Sequence, residues 1–243
     1  MADIEYKRIL VKLSGEALMG EQASGIDPQM IAKTAAELIA LARAGVELGV
    51  VVGGGNLFRG AGLAAAGLDR VTGDHMGMLA TVMNALALKD GLLREGEAAT
   101  VMSGLAMPQV CESYTQRDAR RRIAAGEILI FAAGTGSPYF TTDTGASLRA
   151  IEMRADLLIK ATKVDGIYDK DPVKHSDALR YSHLDYDLAI DQRLAVMDVA
   201  AMILCNDNSL DLVVCDINQP GALLDLAKGK TVGTRVTRKE AQK

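Results

Sequence analysis

Arg8-Ile9-Leu10-Val11-Lys12-Leu13 runs into Ser14-Gly15, and Val46-Glu47-Leu48-Gly49-Val50-Val51-Val52 runs into Gly53-Gly54-Gly55-Asn56. Each is a short, branched, apolar run that ends at glycine, the pattern of a buried strand emptying into a tight loop. Between them Asp27-Pro28 offers an N-cap and a first helical residue. Ile31, Ala35, Leu38 and Ala42 then recur on one face, and Gly45 stops the run. Strand, helix and strand in that order form the unit from which parallel sheets are built. The alternation continues with a helix over 74–89, a strand over 98–102, a helix over 116–125, a strand over 127–133, a helix over 143–154 and a strand over 156–160. A long helix over 185–205, a strand over 211–216, a short helix over 221–228 and a last strand over 231–236 complete it. The reading is a three-layer α/β/α sandwich with a mainly parallel central sheet.

The chain has 243 residues, and its 27 Lys and Arg against 31 Asp and Glu leave a formal net charge of −4. That balance argues against a protein that coats nucleic acid. At 49% hydrophobic and 24% charged residues, the composition excludes global disorder. Cys111, Cys205 and Cys215 are far apart, with neither CxxC spacing nor enough members for a disulfide framework, so reduced thiols in a cytoplasmic setting are expected. The start of the chain lacks the basic-then-apolar order of a signal peptide. No uninterrupted apolar run reaches the ~18 residues of a membrane span, so no membrane association is expected. No fixed repeat period stands out, which argues against a solenoid or propeller.

Three glycine turns follow predicted strands: Ser14-Gly15, Gly53-Gly54-Gly55 and Gly134-Thr135-Gly136. In a parallel α/β sheet such turns gather beyond the C-terminal strand ends, where exposed N–H groups suit polyphosphate. Any one of them alone reads as an ordinary tight turn. Lys12 either snorkels from a strand end or places a cation beside the first turn. Arg59 is either a solubilising surface residue or a bidentate phosphate donor. Asp74 either caps the following helix or accepts a sugar hydroxyl. Asp143 either caps its helix or orients Lys12 and Lys160 towards phosphate. His75 fits a hydrogen bond at a helix start. Met76, Met78 and Met83 read as helix packing, and the Arg117, Arg120, Arg121 and Arg122 cluster as solvated surface or a subunit contact. Gly229-Lys230-Thr231 has Leu224 where a P-loop needs its leading glycine, and Gly134-x-Gly136 has Tyr139 at the third glycine of a dinucleotide fingerprint. His75, His175 and His183 form no compact zinc spacing. The polar stretch 162–187 is either a surface loop or a cover over a ligand.

The combination of Lys7 to Leu18, Gly53 to Gly60, Gly73 to Thr81, Gly134 to Asp143 and Lys160 to Tyr168 resembles the bacterial uridylate kinase branch of the amino-acid kinase family, over nearly the whole chain. The resemblance implies one amino-acid kinase domain over 1–243, with a UMP-binding part over about 1–155 and an ATP-binding part over about 156–243. It implies phosphoryl transfer from Mg²⁺-bound ATP to UMP, with Mg²⁺ held mainly by phosphates and by no dedicated protein site. By the same resemblance Lys12, Arg59, Asp143 and Lys160 are catalytic. Lys12, Leu13, Ser14, Gly15, Gly55, Arg59, Thr162, Tyr168 and Asp171 then contact ATP. Gly54, Asp74, Thr135, Gly136, Ser137, Pro138, Tyr139, Phe140, Thr141 and Thr142 contact UMP. Gly20, Glu21, Gln22, Ala23, Ser24 and Gly25 align with a segment of GTP activation, here in a compact form. UTP inhibition and a homohexamer belong to the same implication. Two other functions fit the residues: a related kinase forming an acyl phosphate, and a nucleotide-binding regulator with little turnover.

Overall fold

The structure is a computed structural model, described over residues 4–58, 67–172, 174–194 and 196–239. Its strands are β1 (Arg8–Leu13), β2 (Glu47–Val52), β3 (Ala99–Ser103), β4 (Glu112–Ser113), β5 (Ile128–Ala132), β6 (Leu157–Thr162), β7 (His183–Asp185), β8 (Asp211–Asp216) and β9 (Thr234–Thr237). Its helices are α1 (Pro28–Arg43), α2 (Arg70–Arg94), α3 (Gln116–Ala124), α4 (Thr142–Met153), α5 (Tyr186–Asp191), α6 (Val199–Asp207) and α7 (Ala222–Ala227), with a 3-10 turn at Gly15–Leu18. One sheet runs in the order β4-β3-β5-β2-β1-β6-β8-β9-β7. Every neighbouring pair is parallel except β8 with β9. The expected three-layer, mainly parallel architecture is therefore what forms.

Strand period decides the layers. Ile9, Val11 and Leu13 point to a core shared with Ile31, Leu38, Leu88 and Leu223 of α1, α2 and α7. Leu10 points the other way, into a core with Phe131, Ala146, Leu158 and Met202 under α3, α4 and α6. Lys12 shares the parity of Leu10 and so faces the α4 side. In register, Lys12 lies between Val51 of β2 and Lys160 of β6.

Several boundaries differ from the sequence expectation. Asp69, not Asp74, caps α2, its carboxylate accepting the Thr72 N–H at 2.9 Å. Thr141, not Asp143, caps α4, its hydroxyl accepting the Asp143 N–H at 3.0 Å. Both aspartates are thereby released from capping. The long helix expected over 185–205 is β7 followed by α5 and α6. Arg193 takes a left-handed φ of 50° after α5, and Asp198 starts a new helix by accepting the Ala201 N–H at 2.9 Å. Of the three methionines read as packing, Met78 is buried, whereas Met76 and Met83 are 40% and 51% exposed. By length and composition α2 could cross a membrane, but half of that apolar window is buried inside the protein.

Candidate active site

Parallel strands put their C-terminal ends on one edge, and the site is built there. Lys12 and Lys160 lie near the C-terminal ends of adjacent strands and pair in register, so their side chains leave the sheet side by side. Between them stands Asp143, in the first turn of α4, where the helix dipole favours a carboxylate. Lys12 Nζ lies 2.7 Å from Asp143 Oδ1 and Lys160 Nζ 2.8 Å from Oδ2. The Lys160 contact is a hydrogen bond. The Lys12 contact is an ion pair out of hydrogen-bond alignment, which leaves buried Oδ1 without a directed donor. Lys160 also donates to the Val196 carbonyl. All three side chains are at most 15% exposed. Burial pushes the Asp143 carboxyl upwards, but the two ammonium charges outweigh it and hold the group below the usual carboxylate range. Burial lowers the Lys160 amine, Asp143 opposes that fall, and Lys12 adds to it. A buried carboxylate held low between two cations is a poor proton acceptor. It is suited to fixing where those cations sit.

Two glycine loops close on each other beside this trio. A Cβ on Gly15 would meet the Asn56 Oδ1 at 2.5 Å and the Gly53 carbonyl at 2.7 Å, so only glycine lets the first loop lie on the second. The Gly53 N–H donates to the Leu13 carbonyl at 2.9 Å. Leu13 buries its side chain in the core, so only its backbone is available to a ligand. Beneath the loops Asn84 donates to the Gly53 carbonyl at 2.7 Å and exchanges side-chain hydrogen bonds with Asn56. Both asparagines are buried. Ser14 accepts weakly from the Glu16 N–H, at 3.4 Å.

A cavity of about 410 Å³ opens from the second loop. Its walls are Gly54, Gly55, Phe58, Leu68, Asp69, Arg70, Gly73, Asp74, Gly77, Met78, Thr81, Ala133, Gly134, Thr135, Phe140, Thr141 and Thr142. The third glycine turn thus joins the second around one hollow. Asp74 accepts the Tyr139 N–H at 2.7 Å and the Arg70 Nε at 2.9 Å to each oxygen. Burial raises its carboxyl, and these donors more than offset that, holding it low and ionised. Gly136, Ser137, Pro138 and Tyr139 are not among the walls. They form the far side of the loop, where Thr135 Oγ1 accepts the Ser137 N–H at 3.1 Å and Gly136 packs on the Gly104 carbonyl.

On the other side of β1, Thr162 ends β6 and folds its hydroxyl onto Val164, accepting that N–H at 3.0 Å. Tyr168 donates to Asp165 at 2.7 Å, and Asp171 lies 3.4 Å from Lys174. Lys163 of this segment lies 3.7 Å from Glu16 of the first loop. The segment Gly20 to Gly25 follows the 3-10 turn and is tied to the glycine loop. The Gly25 N–H donates to the Asn56 carbonyl at 3.0 Å and the Asn56 amide to the Gly25 carbonyl at 2.8 Å. Arg59 lies outside the described residues. Among the described residues, no group of three or more His, Cys, Asp or Glu could hold a metal ion.

Sequence reasoning missed Gly77, Thr81 and Asp198. Gly77 leaves a bare helix wall on the cavity, its absent side chain meeting nothing within 4 Å. Thr81 accepts the Ala133 N–H at 2.7 Å and so holds the third loop at its root. Asp198 Oδ2 accepts both Thr141 and Thr144 hydroxyls, at 2.5 and 2.8 Å, pinning the helix end that carries Asp143. Its place before the apolar run of α6 was the available signal, as an N-cap.

The model of the amino acid kinase family matches residues 7–216. The chain is 57% identical over 236 residues to a uridylate kinase of Xanthomonas campestris pv. campestris, covering 97% of this chain and 98% of that protein. It is 56% identical to a uridylate kinase of Methylococcus capsulatus, covering 96% and 98%. Among solved structures, a UMP kinase from Bacillus anthracis superposes with a TM-score of 0.94 at 34% identity, covering 98% of each chain. A UMP kinase from Ureaplasma parvum does so with a TM-score of 0.90 at 33% identity, covering 97% of this chain and all of that one.

Proposed function

The chain belongs to the amino acid kinase family, and we propose that it transfers the γ-phosphoryl group of ATP to UMP, giving ADP and UDP. The observation that carries this reading is Lys12-Asp143-Lys160 at the strand edge. It sets two fixed positive charges beside a nucleoside-sized hollow, with glycine loops between. UMP occupies the hollow on the β2 and β5 side, with Asp74 accepting its ribose hydroxyls and the loop over 135–142 holding the rest. ATP lies across β1 and β6, with Ser14, Gly15 and Gly55 at its phosphates and Thr162, Tyr168 and Asp171 around its base and ribose. The N-terminal part, about 1–155, thus serves the acceptor, and the part from about 156 serves the donor.

Transfer is direct and in line. A UMP phosphate oxygen forms a bond to the γ-phosphorus while the bond from that phosphorus to the β,γ-bridging oxygen breaks, and the electron pair leaves with ADP. The acceptor phosphate is already ionised near neutral pH, so no general base is required. Catalysis is then positioning plus charge stabilisation, as in other phosphoryl transfers. Lys12, Lys160 and Arg59 neutralise the phosphoryl oxygens, and Asp143 positions the lysines. Mg²⁺ arrives with ATP, held by its phosphates.

We place the enzyme in the cytoplasm, in pyrimidine nucleotide synthesis, as a homohexamer activated by GTP through the 20–25 segment and inhibited by UTP. The exposed stripe Met76, Leu79 and Met83 on α2 supports self-association. The test is transfer of label from [γ-³²P]ATP, with UMP, CMP, glutamate, aspartate and carbamate as parallel acceptors. Label in UDP is expected. Label in an acyl phosphate, or nucleotide binding with no transfer, refutes the reading. Molar mass in solution tests the hexamer.

A further inference from the structure

Arg149 lies on α4, away from the lysine pair, and is 5% exposed. A buried guanidinium must be fully partnered, and each partner here is specific. Its Nη1 donates to Glu152 at 2.6 Å, and its Cζ lies over the Tyr114 ring, 3.6 Å from the ring centre. Tyr114 donates its hydroxyl to the same Glu152 oxygen at 2.6 Å and packs edge-on against Phe131 of β5. Burial and Glu152 push the Tyr114 phenol upwards, so it remains a donor. Arg120 of α3 donates to the Glu152 carbonyl at 2.7 Å, which braces the frame from a second helix. With those bonds made, Arg149 Nη2 reaches the Gly134 carbonyl at 3.3 Å.

That carbonyl belongs to the first glycine of the loop assigned to UMP. Gly134 has a φ of 55°, and it rests on α4 where Gly145 leaves room: a Cβ at 145 would meet the Gly134 Cα at 3.0 Å. Across a trans peptide the carbonyl and the following N–H point in opposite directions. Holding the Gly134 carbonyl towards Arg149 therefore turns the Thr135 N–H away from the protein frame. Gly134 and Thr135 line the cavity, and no acceptor among the described residues takes that N–H.

We propose that Arg149, braced by Glu152 and Tyr114, is a positioning residue that presents the Thr135 N–H to the acceptor nucleotide. The inference rests on the UMP reading for the identity of that nucleotide, but its loop geometry can be read without substrate. Arg149→Lys keeps the charge and loses the fork that spans Glu152 and Gly134. In Arg149→Lys, KM for UMP rises about tenfold, as for one lost hydrogen bond to a charged group, while KM for ATP moves less than about twofold. Tyr114→Phe, which leaves Arg149 in place but loosens Glu152, raises the UMP KM by a smaller factor. It decides the matter if the lysine variant does not fold. A purely structural role would instead lower the melting temperature and raise both KM values alike. Hydrogen exchange at the Gly136 amide, which donates to the Ala133 carbonyl at 2.9 Å within the same turn, measured without nucleotide, is faster in both variants. Unchanged exchange, or an unchanged UMP KM in a folded variant, overturns the proposal. Wild-type protein that fails to phosphorylate UMP while the exchange still responds overturns the substrate reading alone.

Discussion

Asp143→Asn removes the charge between Lys12 and Lys160 at nearly constant volume. Lys12 Nζ and Lys160 Nζ sit 2.7 and 2.8 Å from the two carboxylate oxygens. Allowing for the width of the carboxylate, the two ammonium groups are at most about 8 Å apart, so at an effective dielectric near 20 they repel by about 2 kcal/mol or more. Removing one member of a buried ion cluster generally costs about 3–5 kcal/mol, and the lower end is expected here because Asn still offers a hydrogen-bond acceptor. The lysines then move apart or one loses its proton. Either change removes prepositioned charge from the transferring phosphoryl group, and kcat falls by about 10²–10³. The Lys160 amine, already lowered by burial, falls further without its carboxylate, so residual activity rises as the pH is lowered. In the wild type the folded carboxyl is held low. Its stabilising contribution is therefore complete above the ordinary carboxylate pKa of about 4 and is lost as pH falls through the folded value. The stability gap between wild type and variant narrows in acid as the Asp143 contribution is lost, and narrows again on the alkaline side, where the further-depressed Lys160 of the variant sheds its proton and the cost of its unpaired charge. Coupled ADP release at saturating UMP and ATP, with urea unfolding across pH, measures both. A variant with kcat within about fivefold of wild type and an unchanged unfolding midpoint would refute the electrostatic argument.

Gly54→Ala forces a Cβ to 2.9 Å from both the Ala80 Cβ and the Gly77 carbonyl, so it destabilises by about 1–3 kcal/mol in thermal unfolding. Gly55→Ala meets nothing within 4 Å. It keeps the melting temperature and raises nucleotide KM, which separates the packing glycine from the ligand-facing one. Asp74→Asn keeps kcat within about threefold but raises KM for UMP by about tenfold or more in steady-state titration, because a charged acceptor becomes a neutral one. Asp198→Ala loses the α6 cap and both threonine contacts. It lowers stability by about 1–2 kcal/mol in urea unfolding and lowers kcat more than either KM.

The fold was legible because β1, β2, β5, β6 and β8 are buried on both faces, so they appear as short apolar runs, with glycine marking the exits of β1, β2 and β5. The edges were less legible. β4 has two residues and β7 three, too few for any period to register. The break between α5 and α6 was hidden because both helices are apolar on the same side, and only Asp198 marks the restart. Within the site, the chemical residues were visible by type and by position after strands. Their division of labour was not. Whether Asp74 and Asp143 cap helices depends on Asp69 and Thr141, a few residues upstream, which take the caps first. Gly77 and Thr81 were invisible for a different reason. A missing side chain on a helix wall, or a hydroxyl turned onto a distant N–H, has no local sequence signature.

The position of β1 explains why both nucleotides can meet at one edge. The chain leaves β1 for β2 on one side and, after β5, crosses to β6 on the other. Loops from the first half therefore gather on the left of Lys12 and loops from the second half on its right. The in-register pairing of Lys12 with Lys160 puts the charge at the seam. In the proposed reaction that seam is where an acceptor phosphate from one side and a donor phosphate from the other touch. On that reading a cation there belongs to both ligands at once, and Asp143 keeps the two cations from settling on either ligand alone. It follows that Lys12 substitutions should raise the KM of both nucleotides, whereas Asp74 and Thr162 substitutions should each affect one.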